Sequence, residues 1–436
     1  MKKILIINYY WPPSGGAVVQ RWFYITKYLE ELGVECFVVT IDEAVATFPN
    51  IDRAMAAEVS PTIKVFRTGT SEILQYYKKV QADSTANNVT VNNDQLDWKA
   101  KVARFIRGNF FLPDARRGWH AHAYRKAKEL INKYDISHFV TVGPPHSTHL
   151  AGLKLRRAFP QKTWIVDMHD YWIGHFNLPI FYRTRLANYF DKRLEEKVTH
   201  QSDFIMVHCR SAKRKLLSRY PNLKEDKVHI HTMGYNEELF TPPNTRRQSN
   251  AFTVAYTGSL NSNYHPEVFF RALKRCIDHF AGKRNIVFKF AGTLAASIQQ
   301  YIADIGLSNH FDHLGYVPHE QVINILCNSD ALLLVNPKDK DDKAIIPGKL
   351  YEYLAAGKPI ISIASHGSEN EELILENKAG KNFERQEEEA LLKFLIDLVE
   401  GQFKREDRNE EGIKKYSRKE ETRVLFECII FNRSYA

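Results

Sequence analysis

Lys349 and Glu352 stand three residues apart in AIIPGKLYEYLAAGKPIIS, residues 344–362. Pro347 and Gly348 open this stretch, and Gly357 follows it before the apolar run Pro359-Ile360-Ile361. Proline just inside a helix start and glycine just past its end predict a helix over Gly348–Ala356. A helix start presents free N–H groups and a partial positive charge, so it suits a phosphate. Residues three apart lie on one helical face. A lysine for a pyrophosphate and a carboxylate for ribose hydroxyls would fit that pair, although a solvated Lys–Glu face has the same spacing.

Other candidates fall where strands end. Gly15-Gly16, after Trp11-Pro12-Pro13-Ser14, joins a first strand to a first helix. Two glycines let backbone come close to a phosphate or sugar oxygen, and the same turn can be purely structural. It is not a G-x-G-x-x-G fingerprint, which argues against a dinucleotide. GPPHSTH (143–149) and WIVDMHDYW (164–172) place His146, His149, His169 and Asp170 just past strand ends. Each histidine has a structural reading, and Asp170 and Trp172 would serve equally as loop caps. Tyr256-Thr257-Gly258-Ser259-Leu260 ends another strand, and KDKDDK (338–343) reads as a solvated loop.

The elements that must position these residues alternate short apolar strands with helical stretches, the pattern of βα units and parallel sheets. In the first half the strands are Lys3–Asn8, Glu35–Thr40, Ile63–Arg67, His138–Val142, Trp164–Met168 and Phe204–His208, with a helix over Val18–Leu32 closed by Gly33. The polar, Asn-rich stretch 76–100 breaks the rhythm as an insertion, and TPPNTRRQSN (241–250) reads as a linker. Beyond it come strands Phe252–Tyr256, Ile286–Ala291, Phe311–Leu314, Ala331–Val335 and Pro359–Ala364. Helices Pro266–Phe280, Ala295–Ile305, Gln321–Cys327 and Glu387–Leu398 fall in the same half. The expected fold class is α/β, with two facing Rossmann-like domains and a cleft between them, one over 1–240 and one over 251–417.

With 436 residues the chain is long enough for two or three domains, and at 44% hydrophobic and 26% charged it has the composition of a soluble globular enzyme. No apolar run reaches membrane-span length, and the start, Met1-Lys2-Lys3-Ile4-Leu5-Ile6-Ile7-Asn8, is too short for a signal peptide. Five scattered cysteines without a CxxC pair argue against a disulfide framework or a zinc site and point to a reducing cytosol. The net charge of +10 implies an acidic partner. Nucleic acid is not expected, because no nucleic-acid-binding motif is present. The stretch from Val102 to Leu112 interleaves Arg104 and Arg107 with Phe105, Ile106, Phe110 and Phe111. A segment lying on anionic lipid would look like this, as would a loop folded onto its own domain.

The segment 344–362 resembles the donor-site helix of GT-B nucleotide-sugar glycosyltransferases, glycosyltransferase family 4. The resemblance runs along nearly the whole chain, most strongly from 252 to 376. It implies an N-terminal acceptor domain, a C-terminal nucleotide-sugar domain, and a last helix, about 418–436, that crosses back to the first. It implies donor contacts at Gly16, Gly258, Ser259, Lys343, Gly348, Lys349 and Glu352, with Tyr316 and Val317 along the base. Gly15, His146 and Asp170 would face the acceptor, and His169, in a sequence similar to the family's D-F-R-D-P-W, would touch the transferred sugar. Lys349 and His169 are the catalytic candidates.

The chain also departs from the family. Ser259 and Tyr264 stand where an arginine and a lysine usually grip the pyrophosphate, and Ala344 stands at the first of two paired glutamates. Asp341 or Asp342 would have to replace it. The implied reaction is retaining, metal-independent transfer from a UDP- or GDP-sugar, with no cofactor beyond that donor. The acceptor would be a glycan, lipid-linked, in surface-polysaccharide assembly such as lipopolysaccharide or capsule. The enzyme would be cytoplasmic and peripheral on the inner face of the membrane. Two other readings are a non-catalytic sugar-nucleotide-binding partner, motivated by the missing residues, and a GT-B sugar-nucleotide 2-epimerase.

Overall fold

The computed structural model describes residues 2–71, 98–174, 178–240, 251–338, 342–403 and 408–430. The expected linker 241–250, nearly all of the expected insertion 76–100 and Asp341 lie outside the described residues. The chain forms two compact units, Met1–Thr232 with Thr422–Ala436, and Met233–Glu421.

Unit 1 is a seven-stranded sheet in the order β3-β2-β1-β4-β5-β6-β7. Its strands are β1 (Lys3–Ile7), β2 (Glu35–Ile41), β3 (Lys64–Thr68), β4 (His138–Gly143), β5 (Thr163–Met168), β6 (Phe204–Val207) and β7 (Val228–Ile230). Every pairing is parallel. Its helices are α1 (Ala17–Glu31), α2 (Arg53–Ala57), α3 (Trp98–Phe110), α4 (His120–Tyr134), α5 (Thr148–Ala158), α6 (Arg185–Gln201) and α7 (Arg210–Arg219). A parallel sheet is covered on both faces, so its strands read as continuous apolar runs, as KILII and FIMV do here. The C-terminal residues Leu425–Ile430 pack into the same core as Ile4, Ile6, Trp22 and Val38.

Unit 2 repeats the plan with six parallel strands in the order β10-β9-β8-β11-β12-β13. These are β8 (Ala251–Thr257), β9 (Asn285–Ala291), β10 (Phe311–Gly315), β11 (Ala331–Val335), β12 (Ile360–Ile363) and β13 (Gly380–Phe383). Its helices are α8 (Glu267–His279), α9 (Ala296–Asp304), α10 (His319–Asn328), α11 (Lys349–Ala356), α12 (Glu369–Glu376), α13 (Glu388–Val399) and α14 (Glu410–Lys414). A last helix, α15 (Arg418–Leu425), carries the chain past Glu421, the end of unit 2. All five residues of β11 are buried. Gly357 closes α11 in the left-handed region at φ 72°, which glycine adopts without strain.

The α/β class with two Rossmann-like parallel sheets is the expected one. Each sheet reverses its strand order once, between β1 and β4 and between β8 and β11, and the carboxyl ends of strands at such a point are where open sheets hold ligands. Strands β7 and β13 were not expected. They are edge strands of three and four residues, and Lys381 and Asn382 interrupt the apolar run of the second. Pairing with β6 and β12 decides their conformation, which short-range propensity does not.

A buried ion pair fixes the end of β5. Asp167 accepts from Arg21 Nη2 at 3.1 Å and from Trp22 Nε1 at 2.6 Å, while Arg21 Nη1 donates to the His231 carbonyl at 2.7 Å. Burial pushes the Asp167 carboxyl up, opposed by the Arg21 charge and the Trp22 hydrogen bond. Arg21→Met leaves that carboxylate without its cation and is expected to destabilise unit 1 by about 3–5 kcal/mol. Arg21→Met with Asp167→Leu is expected to recover most of the loss. All six tryptophans lie in unit 1, so the urea midpoint from tryptophan fluorescence checks both variants on that unit alone.

Candidate functional site

In unit 2 the carboxyl end of β8 meets the start of α11. The Lys349 amino group donates to the Thr257 carbonyl at 2.6 Å and sits 4.0 Å from the centroid of the Tyr256 ring. That ring stacks on Phe290 at 5.3 Å, and its hydroxyl donates to the Ser259 carbonyl at 2.9 Å. The Tyr353 hydroxyl accepts from the Thr257 amide at 3.1 Å, so both partners of Lys349 are themselves held. Burial pushes the Lys349 amine down to about 7, with the Glu352 carboxylate opposing.

Glycine at 258 leaves room for this amine. A Cβ there would lie 2.9 Å from Lys349 Nζ, and φ is +103°. A Cβ on Gly292, φ +139°, would lie 2.1 Å from the Gly258 carbonyl oxygen. Two close approaches therefore set the Gly258–Ser259 loop, and both residues of it are exposed. Gly348 caps α11, and the Leu350 and Tyr351 amides close onto the Pro347 and Gly348 carbonyls at 2.9 and 3.3 Å.

Glu352 lies on the next turn and is paired: its Oε1 is 2.9 Å from His319 Nε2. Sequence reasoning missed His319, which sits directly after the loop Gly315-Tyr316-Val317-Pro318 but thirty-three residues from Glu352. Tyr316 is 91% exposed and Val317 half-buried. Lys343 is exposed, with its amine 3.8 Å from where a Cβ of Gly367 would lie. Asp342 begins a single helical turn, Asp342–Ala344, in which Ala344 is buried. That turn is tied in because Asn336 Nδ2 donates to the Ile345 carbonyl at 3.0 Å and Asn370 Nδ2 to Asn336 Oδ1 at 2.8 Å.

In unit 1, His169 follows β5 and is 7% exposed. Its pKa is driven well below the usual histidine value by burial, then by Arg21, His208 and His231, so the ring is neutral near pH 7. Its Nδ1 is buried without a hydrogen-bond partner among the described residues. Asp170 and Tyr171 line a small pocket with His208, Lys215 and Arg219. His146 is half-buried and stacks on Trp172 at 5.0 Å, while Trp172 donates to Asp191 at 2.8 Å. Trp172 is thus a structural residue, and so is His149, fully buried with Nδ1 2.9 Å from Thr141 Oγ1. Gly15 packs against Asp52 and bonds the Asn50 carbonyl, whereas Gly16 caps α1 at φ +115° with open space beside it. Among the described residues no group of three or more His, Cys, Asp or Glu side chains could hold a metal ion.

Residues 239–415 match the family described as Glycosyl transferases group 1. That stretch lies within unit 2 and contains Lys349, Gly258, His319 and Glu352. No curated protein sequence matches the chain. Among solved structures the chain is similar to the lipopolysaccharide outer core galactosyltransferase WaaB, apo form, at 14% identity, TM-score 0.58, covering 99% of each chain. It is similar to Anabaena Alr3699/HepE in complex with UDP and glucose, at 12% identity and TM-score 0.59, covering 99% of this chain and 100% of that one. It is also similar to a putative UDP-N-acetylglucosamine 2-epimerase from Listeria monocytogenes, at 12% identity and TM-score 0.54, covering 100% and 98%. At these identities the likeness is one of fold, with GT-B glycosyltransferases among the neighbours.

An amine with a pKa near 7 is charged below that pH and neutral above it. An anion that requires the charged form takes up a proton on binding at pH 8, and its affinity falls as pH rises, by up to about tenfold per unit. Calorimetric titration with UDP or GDP at pH 8, in buffers of different ionisation enthalpy, is expected to show proton uptake by the wild type. Lys349→Met is expected to show much less.

Proposed function

We propose that the protein is a retaining glycosyltransferase that moves a sugar from a UDP- or GDP-sugar to a glycan acceptor. The observation that supports this best is the buried Lys349 amine, under a glycine loop at the sheet's switch point, within the stretch matching Glycosyl transferases group 1. The bond from the anomeric carbon to the donor phosphate oxygen breaks, the acceptor hydroxyl oxygen bonds that carbon from the same face, and its proton passes to the leaving diphosphate. Lys349 and the α11 amides favour the departing negative charge. Glu352 takes ribose hydroxyls, and Tyr316 and Val317 flank the base. Gly16 and Lys343 serve the donor, and Asp341 or Asp342 replaces the missing glutamate. Gly15, His146 and Asp170 serve the acceptor, and His169 contacts the transferred sugar as a neutral ring.

His169→Ala is expected to lower turnover about 100-fold or more while leaving UDP or GDP affinity nearly unchanged. A turnover within a few fold of wild type, with the fold intact, removes His169 from the site. The likeness to a putative 2-epimerase favours one second reading. Turnover of a UDP-sugar without any acceptor supports that reading, and strict dependence on an acceptor supports transfer.

We also propose that the acceptor is lipid-linked and that unit 1 rests on the anionic inner face of the membrane. Among the described residues no helix is long and apolar enough to cross a membrane. Among the described residues, nine of the fourteen large exposed apolar side chains lie in two sequence blocks, on one helix and at the start of another. Trp98, Val102, Phe105, Ile106 and Phe110 belong to α3; Tyr182, Leu186, Tyr189 and Phe190 precede or open α6. Asn109 joins the two by donating to the Tyr182 carbonyl at 3.1 Å and accepting from the Thr184 amide at 2.7 Å. Lys99, Lys101, Arg104 and Arg107 on α3, and Arg185, Lys192 and Arg193 on α6, add the cations such a surface needs. Each cation near anionic lipid contributes on the order of 1 kcal/mol and is screened by salt. Pelleting with anionic vesicles is expected to fall steeply from low to high salt and to drop further in Arg104→Glu with Phe190→Glu. No pelleting at low salt contradicts the attachment and favours a soluble acceptor.

A further inference from the structure

We propose that His319 is a positioning residue that holds Glu352 for the ribose of the bound nucleotide and thereby sets discrimination of ribo- from deoxyribonucleotides. The inference rests on the donor-site reading of unit 2. His319 opens α10, directly after the loop in which Gly315 turns at φ +65° and Tyr316 stands 91% exposed. The loop therefore presents an aromatic face, and the next helix start presents an imidazole to the neighbouring helix. The His319 side chain is 41% exposed and the Glu352 side chain 15%. Oε1 of Glu352 is held at 2.9 Å by His319, and Oε2 has no hydrogen-bond partner among the described residues.

A glutamate has three rotors, and a hydroxyl that binds a free one must order them all. With one oxygen held by an N–H donor, the other keeps one direction and accepts from a ribose hydroxyl at lower entropic cost. A pair serving only stability would gain nothing from an unpartnered second oxygen.

The hydrogen bond to Glu352 raises the pKa of His319 above the usual histidine value, while burial and the Arg418 charge oppose it. The charged groups on elements packed against α10 are Lys349 and Glu352 on α11 and Glu237 and Glu238 on the turn Glu237–Phe240. A raised pKa means that the ion pair is complete below pH 6.5 and is lost as pH rises through the folded value. Ribose discrimination should follow that titration. Lys349 also titrates near neutrality, but it addresses the diphosphate, which ribo- and deoxyribonucleotides share. The ratio of their affinities cancels its contribution.

The test is calorimetric titration of UDP against 2′-deoxy-UDP, and GDP against 2′-deoxy-GDP, at pH 6 and pH 8.5. The proteins are wild type, His319→Ala, His319→Asn and Glu352→Ala. For the base that binds, the wild type is expected to prefer the ribonucleotide about tenfold at pH 6, the equivalent of one hydrogen bond, and less at pH 8.5. His319→Ala should lose most of that preference and all of its pH dependence. His319→Asn, which keeps a donor without a titrating group, should keep some preference and be flat with pH. Glu352→Ala should show no preference at either pH. A His319→Ala protein with the wild-type ratio at both pH values overturns the role of His319 alone. Failure of the wild type to bind UDP or GDP overturns the donor reading and this inference with it.

Discussion

An ammonium group withdrawn from water at the end of a parallel sheet is the constraint on which unit 2 turns. Lys349 is held by one carbonyl and one aromatic face, neither of which repays the lost hydration of a full charge, so its pKa falls to about 7. The neutral amine is tolerated there, and in the proposed reading a diphosphate would supply the missing counter-charge. The surrounding choices follow from that requirement. Gly258 and Gly292 leave space that a methyl group would take, Tyr256 is braced by Phe290, and Tyr353 steadies the Thr257 amide. The loop before α11 is anchored by Asn336 and Asn370, which fixes where the helix begins.

Unit 1 reaches a comparable result by different means. It holds a buried ion pair, Arg21 with Asp167, that joins α1, the end of β5 and the segment after β7. His169 comes two residues after Asp167, so its ring is set by a rigid support and kept neutral by burial beside Arg21. A neutral imidazole suits a contact to a sugar whose anomeric carbon gains positive charge, because an imidazolium there would repel it. Trp172 and Asp191 hold the loop beyond it.

The sequence made the sheet order of the chemistry visible, because parallel strands must be apolar and the loops after them must carry the polar residues. KILII, ALLLV and FIMV therefore announced themselves, and the six internal helices given bounds fell within two residues of the observed ends, while the other helices were not read. Gly380-Lys381-Asn382-Phe383 did not, since its strand exists through its partner β12. At the candidate site, residue type and spacing singled out Lys349 and Glu352 as candidates but not their surroundings. Spacing on a helix suggests two side chains presented together, whereas Lys349 turns inward beneath Gly258 and Glu352 meets a histidine from α10. Such contacts join elements far apart in the chain and carry no short-range signal. Asp167 shows the converse: beside His169 it looks like site chemistry, and its hydrogen bonds make it structural.

If the Lys349 amine receives the diphosphate of a nucleotide, removing it costs affinity only where phosphate is present. Affinities of uridine, UMP and UDP, or of the guanosine series, measured on wild type and Lys349→Met at pH 7, test it most directly. In the wild type, affinity is expected to climb with each phosphate. In the variant the climb flattens, with a loss of about 1.5–3 kcal/mol confined to the diphosphate and little change for the nucleoside. A variant that loses nucleoside and diphosphate affinity equally, or loses neither, would contradict it.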